Sequence, residues 1–412
     1  MASTEQPPAT LLAGLPQRRY EPDTRGPLSG VRVLDLTRLV SGAQFGLVLG
    51  DLGADVVKVE RPGTGDPFRH TTIDGYDAYW RAYGRNKRSI TLDYGRPAGR
   101  ELLYRLVETA DLVAENFTPG VLERLVGGPE ALLGRNPKLV IVRISGWGQT
   151  GPRAGQPGFG TLAEAFSGFT YLNGDPGGTP VQAPMSLADT VAGTYAASAA
   201  LAALWETRVN RGAGQVVDVS LFEPLFSIMG ADPTAYAARG RLRSRGDGAG
   251  VSSVRGTFQT SDEQWVSISA ATNETAARFF AAVGREDLLG DRRFATHEAR
   301  VAHRGELNEV LAAEFGRFTR AEIIALAREH RLTIGPVLDM VDALADEHYR
   351  ERETIVEMED GVVLQNAVPR LSSTPAVIRR PAPALGEHNA EVYGELGIDT
   401  DELARLAEDG LV

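Results

Sequence analysis

The chain has no cysteine. That single absence excludes disulfides, thiolate nucleophiles, Fe–S clusters and Cys-ligated zinc. Histidine is scarce: six are scattered over positions 70, 297, 303, 330, 348 and 388. The closest two, His297 and His303, would face different sides of one helix, so spacing offers no metal site. Lysine is reduced to Lys58, Lys87 and Lys138, the rest of the 43 basic residues being arginine. Arginine richness is thus a property of the whole chain, and only position can tie an arginine to a phosphate. A positive balance is missing too: 54 acidic residues leave a net charge of −11, which argues against a nucleic-acid binder. The longest apolar stretch, Ala196–Trp205 with Ser198 inside it, is about half of a membrane span. With no targeting segment visible, a cytoplasmic location and no membrane association are expected.

What is present has the composition of an ordinary globular protein: 412 residues, 42% hydrophobic and 24% charged, enough for two or three structural units. Residues 1–27, rich in proline, read as a flexible N-terminal leader. Val31–Leu36 (VRVLDL) is a β-branched run, Ser41–Leu52 has helical length, and Asp55–Glu60 (DVVKVE) is a second buried-strand pattern. Strand, helix and strand at this spacing form a βαβ unit with parallel pairing. The alternation continues through a helix at Pro97–Thr109 to strands at Asp111–Glu115 and Leu139–Ile144. This predicts an α/β fold with a Rossmann-like open sheet. An Ala-rich helix at Thr190–Arg208, a strand at Gln215–Ser220 and a helix over Leu221–Ala238 follow, before the Gly-rich loop Arg243–Gly256 marks a domain boundary. Beyond it lie a hairpin at Gly256–Ser269 and helices at Asn273–Val283, Arg304–Phe315 and Arg320–Glu329. A second hairpin, Glu351–Arg370, turns at Asp360-Gly361, and helices at Asn389–Gly397 and Asp401–Asp409 end the chain.

After the first strand the glycines fall at Gly42, Gly46, Gly50 and Gly53, which is not G-x-G-x-x-G. Spacing of four places the first three on one helix face, where they permit close packing; an NAD or FAD site is not expected. Open α/β sheets bind ligands beyond the carboxyl ends of their strands. At such ends stand Arg61 and Arg69, the cluster Arg85-Asn86-Lys87-Arg88-Ser89, and Asn116-Phe117-Thr118-Pro119-Gly120 with Arg124 beyond. Thr118-Pro119 has the form of a helix start whose free N–H groups could receive an anion, and Phe117 offers a face to a base; a solvated charged face fits the spacing equally well. Ser186-Leu-Ala-Asp189 precedes the Ala-rich helix. Either residue can cap it; alternatively Asp189 is a carboxylate poised for nucleophilic attack. No G-x-S-x-G and no P-loop occur, Ser145-Gly146-Trp147-Gly148 matching only half of the former, and His388 reads as a turn residue rather than a general base.

Taken together, these segments resemble the family III CoA-transferases, the group of formyl-CoA transferase, carnitine CoA-transferase and α-methylacyl-CoA racemase. The resemblance runs over about residues 28–400 and rests on LSGVRVLDLTRLVSGAQFG, LGADVVKVERPGTGD, NKRSITLDY, ENFTPGVLERL, NPKLVIVRISGWGQTGP, AEAFSGFTYLNGDP, LADTVAGTYAA and PALGEHNAEV, in the family's order. It implies a large Rossmann-like CoA-binding domain (28–240 and 350–412), a smaller α+β domain (241–349), and an interlocked, ring-like homodimer. It places the catalytic aspartate on Asp189, and CoA contacts on Val40, Ser41, Arg61, Leu92, Asn116, Phe117 and Arg124. Val40 stands where formyl-CoA transferase has Gln, and Pro157 and Phe159 stand where it has Lys and Tyr, so formate or oxalate chemistry and those contacts do not carry over.

The implied reaction moves CoA from an acyl-CoA donor to a small carboxylic acid through an aspartyl mixed anhydride, with coenzyme A as substrate and neither metal nor redox cofactor. Two alternatives remain: an acyl-CoA racemase on the same fold, and a non-catalytic CoA-binding protein. Racemase relatives carry a His in a Gly-His-Asp context where this chain has Gly158-Phe159-Gly160, and a phenyl ring moves no proton. The loop Gly246–Gly250 is a candidate lid over the site, or a plain interdomain linker.

Overall fold

A computed structural model describes residues 9–246 and 253–412. Six short runs, all but β3 carrying two or more of Val, Ile and Leu, form one parallel sheet: β1 (Arg32–Asp35), β2 (Asp55–Glu60), β3 (Lys87–Thr91), β4 (Leu112–Glu115), β5 (Val140–Ser145) and β6 (Gln215–Ser220). Their order is β3-β2-β1-β4-β5-β6, every neighbour parallel. This is the doubly wound order, and its direction reverses between β1 and β4, where a crevice opens at the strands' carboxyl ends. Alternate residues of one strand feed opposite cores, Val33 on one side and Leu34 on the other, as a parallel sheet covered on both faces requires.

Helices α1 (Leu39–Asp51), α2 (Pro97–Glu108), α3 (Val121–Val126), α4 (Gly160–Phe166) and α5 (Leu187–Arg208) build these layers. On one face, Leu103 and Leu106 of α2 meet Leu34, Val57 and Ile141, with Val392 and Tyr393 of the C-terminal helix Asn389–Glu395. On the other, Phe45 and Leu49 of α1 pack with Ala188, Ala192, Ala196 and Ala200 of α5. The glycine face of α1 is used for close approach, as its spacing predicts. A Cβ at Gly42 would lie 1.9 Å from Thr37 Oγ1, and one at Gly46 2.7 Å from Lys87 Nζ. By length and composition α5 could cross a membrane, which the shorter apolar run in the sequence does not suggest; here its alanine stripe is buried against α1 and the sheet.

The chain divides into two units. One holds Leu15–Arg245 with Arg350–Val412; the other holds Gly246–Tyr349 with the residues up to Gly14. The second is built on three antiparallel strands, Arg255–Gln259, Trp265–Ser269 and Ile334–Pro336, over a core of Phe258, Phe279, Phe280 and Phe315.

Four expectations need correction. The stretch expected to be a flexible leader is ordered over its described residues. Ala9–Leu12 is a helix, Gln17–Arg18 pairs with Glu357–Met358, and Leu15 is buried. The helix expected over Leu221–Ala238 is two, Phe222–Ser227 and Asp232–Arg239, divided where Gly230 turns left-handed (φ 97°) ahead of Pro233. Thr118-Pro119 does not open a helix; α3 starts at Val121, after Gly120 at φ 91°. Lastly, the basic cluster at 85–89 is no ligand site, because it lies in and just before β3 with its charges buried and paired. Arg85 meets Asp51 at 2.6 Å, Lys87 meets Asp35 at 3.2 Å, and Arg88 meets Asp55 and Glu395. His388 serves the same edge: its Nδ1 accepts the Ser89 N–H at 3.2 Å, and burial lowers its pKa, favouring the neutral ring that this bond needs.

Candidate active site

The crevice between β1 and β4 opens into a cavity of about 690 Å³. Its wall runs through Thr37 and Arg38 after β1, Glu60–Arg61 and Gly63–Pro67 after β2, Leu92–Gly95 after β3, and Phe117 after β4. Of the residues expected to contact CoA, Arg61, Leu92 and Phe117 are therefore brought together. Arg61 is exposed, without an ion pair among the described residues. Phe117 is 5% exposed, and the Arg38 guanidinium lies 5.3 Å from its ring centroid. Arg38 escapes the sequence reading, although a cation directly after the first strand of a βαβ unit is the signal that could have found it. Lys58 lines the same wall but is spent inside the protein, on Asp66 at 3.0 Å and Asp35 at 3.4 Å. Arg69, another expected cation, is likewise occupied by Glu60 at 2.7 Å and stacks on Trp80.

The other expected contacts fall elsewhere. Val40 faces a neighbouring cavity, Ser41 is buried, and Arg124 is exposed on α3, whose Val121 and Leu125 line the wall while Arg124 does not. Asn116 spends its amide inside the protein: Oδ1 accepts the Arg38 N–H at 2.8 Å, and Nδ2 donates to the Arg38 carbonyl at 2.6 Å and to Ser41 Oγ at 3.3 Å.

That neighbouring cavity, about 500 Å³, holds Asp189. Leu39 and Val40 form one side, Phe68, Thr71 and Tyr79 a second, Phe159–Thr161 a third, and Gln182–Ser186 the rim. Asp189 lies in the first turn of α5, and Ser186 occupies the position before the helix without a side-chain bond to it. Neither Ser186 nor Asp189 caps the helix as the sequence suggests. Glu164 of α4 does so, its Oε1 accepting from the N–H groups of Leu187 (3.1 Å) and Ala188 (3.4 Å). At the helix end the Asp189 carboxylate meets its own backbone N–H, a contact that lowers its pKa by less than burial raises it. It rests against the first residue of α4, where a Cβ on Gly160 would stand 2.0 Å from Oδ2. Burial, and next the Glu164 carboxylate, push the Asp189 carboxyl up to about 6. Such a group is mostly ionised at neutral pH yet poorly solvated, which suits a nucleophile. The candidate lid Gly246–Gly250 lies, beyond Gly246, outside the described residues.

Residues 28–389 match CoA-transferase family III. The chain is 38% identical to the succinyl-CoA–D-citramalate CoA-transferase of Chloroflexus aurantiacus, over 92% of its length and 96% of the relative's. It is 33% identical to the succinate–glutarate CoA-transferase of Agrobacterium fabrum, over 91% and 97%. Among solved structures, a CaiB/BaiF family protein from Brucella suis superposes with a TM-score of 0.80 at 32% identity, covering 90% of this chain and all of that one. With the strand-end cavity and the aspartate cavity beside it, these likenesses make the chain a member of CoA-transferase family III.

Proposed function

We propose that this enzyme moves CoA from an acyl-CoA donor to a free carboxylic acid through a mixed anhydride on Asp189. The observation that carries the reading is the adjacency of two cavities, one at the strand ends with Arg38 and Arg61 available for phosphates, the other around a carboxylate that burial has activated. In this reading an Asp189 oxygen attacks the thioester carbonyl, the carbon–oxygen bond forms, the carbon–sulfur bond breaks, and CoA leaves as thiolate. The thiolate then attacks the Asp189 carbonyl and releases the donor acid, leaving CoA on Asp189. The acceptor carboxylate displaces it to form a second anhydride, and return of the thiolate to the acceptor carbonyl restores Asp189. Each step exchanges carboxylate for thiolate at an acyl carbon, so the acyl bond is conserved provided water stays out.

The same reading makes residues 28–240 and 350–412 a Rossmann-like CoA-binding domain and 241–349 a small domain, in a cytoplasmic homodimer. Exposed apolar side chains between Phe159 and Leu242, among them Trp205, Phe226 and Tyr236, support a covered face of that kind. The names of the relatives favour succinyl-CoA as first donor to assay, with glutarate and D-citramalate as acceptors.

Asp189→Asn should keep CoA affinity and lose transfer, and hydroxylamine added during turnover should convert Asp189 to a hydroxamate detectable by peptide mass spectrometry. Full transfer by the Asn variant would end the covalent reading. Enzyme-dependent α-deuterium uptake from D₂O into a 2-methylacyl-CoA, abolished by Asp189→Asn, would install the racemase instead. Binding of CoA with no turnover across a donor and acceptor panel would favour a non-catalytic role.

A further inference from the structure

Between the two cavities stands a wall formed by the four-residue connector Thr37–Val40. Thr37 and Arg38 line the strand-end cavity, and Leu39 and Val40 line that of Asp189. The backbone of this connector is held almost atom by atom by side chains. Asp35 accepts the Thr37 N–H at 3.0 Å, and Lys58 donates to the Thr37 carbonyl. Asn116 grips both the N–H and the carbonyl of Arg38, at 2.8 and 2.6 Å. Asp66 Oδ1 accepts the Leu39 N–H at 3.2 Å while also accepting that of Phe68 at 2.9 Å. The holding groups come from different places: β1, β2, the loop after β2 and the residue after β4.

The connector needs such holding. Leu39 sits at φ 60°, in the left-handed region that a γ-branched side chain rarely occupies without support. Ionic contacts brace the clamp from behind, Lys58 lying 3.0 Å from Asp66 and 3.4 Å from Asp35. Burial alone would raise the Asp35 carboxyl, but the ammonium groups of Lys58 and Lys87 overcome it and hold Asp35 below the ordinary range, as an anion.

We propose that Asn116 and Asp66 are positioning residues for acyl transfer: by fixing Arg38 and Leu39 they hold the register between CoA bound at the strand ends and the Asp189 carboxylate. The inference rests on the transfer reading given above. It also gives Asn116 a different task from the direct CoA contact that the family resemblance implies. A wall that moves by an ångström leaves CoA bound but misaligns the thioester, and alignment errors of that size cost about two orders of magnitude in rate.

The test uses the full-length chain, Asn116→Ala and Asp66→Asn. Amide hydrogen exchange of Arg38 and Leu39, CoA affinity by calorimetry, and kcat with KM on a donor–acceptor pair that the parent turns over are all measured. The expected result is at least tenfold faster exchange at those two amides, CoA affinity within about threefold, and kcat reduced about 30- to 100-fold. A larger share of the acyl group should also be lost to water. Unchanged exchange and kcat in the folded variants would overturn the proposal. So would a loss of CoA affinity equal to the loss in kcat/KM, which would return Asn116 to the role of a CoA contact. If the parent transfers no acyl group, the transfer reading itself has failed, and with it the role assigned to the clamp; the exchange data then report on the wall alone.

Discussion

At the scale of the residue, Asp189 answers to pH in two ways. Its carboxyl is raised from 3.8 to about 6 by burial and by Glu164, so the folded state holds the proton more tightly than the unfolded chain. The sign follows: the ionised carboxylate costs stability in full above about pH 6, and the cost fades as pH falls toward 4. Asp189→Asn should therefore raise stability by about 1–3 kcal/mol at pH 8 and by little at pH 4, as thermal unfolding at the two pH values would reveal. Activity runs the other way, falling about tenfold per pH unit below about 6; a flat profile down to pH 5 would contradict the assignment. Gly160 offers a second test. Alanine there suits a helix start, but its methyl group would meet Asp189 Oδ2 at 2.0 Å. Gly160→Ala should keep the fold at some cost in stability and lose about 100-fold in kcat, measured beside its far-UV circular dichroism. Neither role is legible from composition, since Asp189 is one of 54 acidic residues and only the family resemblance selects it. The sequence reads a cap at Ser186 because it cannot bring Glu164, more than twenty positions away, to the helix end.

At the scale of the element, burial pattern and glycine spacing decide what can be read. The β-branched runs of β1, β2, β4 and β5 announce themselves because a doubly covered parallel strand must be apolar on both faces. β3 (KRSIT) does not, since its cations Lys87 and Arg88 are balanced by Asp35 and Asp55, partners that no local window contains. The expected leader is misread for a related reason: strand Gln17–Arg18 finds its partner at Glu357–Met358, at the far end of the sequence. The α1 glycines are legible because a spacing of four has one simple packing meaning. That meaning can be measured. A methyl group at Gly46 would lie 2.7 Å from Lys87 Nζ and 3.0 Å from Asp35 Oδ2, so it must displace a buried ion pair. Gly46→Ala should thus destabilise by about 1–3 kcal/mol in guanidinium unfolding, against the roughly 1 kcal/mol that alanine gains in a helix. Gly134, helical with open space around its absent side chain, is the control, and Gly134→Ala should stabilise by about 0.5–1 kcal/mol.

At the scale of the whole molecule, the chain leaves the sheet-bearing unit for Gly246–Tyr349 and then returns to it, and its last residues, Leu411 and Val412, are buried in the core beneath β3 and β4. That unit nevertheless keeps a large apolar surface uncovered within itself: Trp205 is 62% exposed, Tyr236 60% and Leu242 68%. Large apolar side chains left exposed in this number fit the contact face that the proposed homodimer would cover. The proposed homodimer gives it an occupant. In the proposed homodimer such side chains would make the interface obligate, with folding and association one event. The parent chain should then sediment at twice 44.2 kDa down to about micromolar concentration, with a thermal midpoint that rises with protein concentration. Trp205→Glu combined with Phe226→Glu places two carboxylates on that face at positions exposed in the single chain, where they cost nothing until the face is covered. The double variant should sediment as monomer or aggregate and lose transfer. A parent that sediments at 44.2 kDa, or a double variant that still pairs and turns over, would leave the face for some other partner.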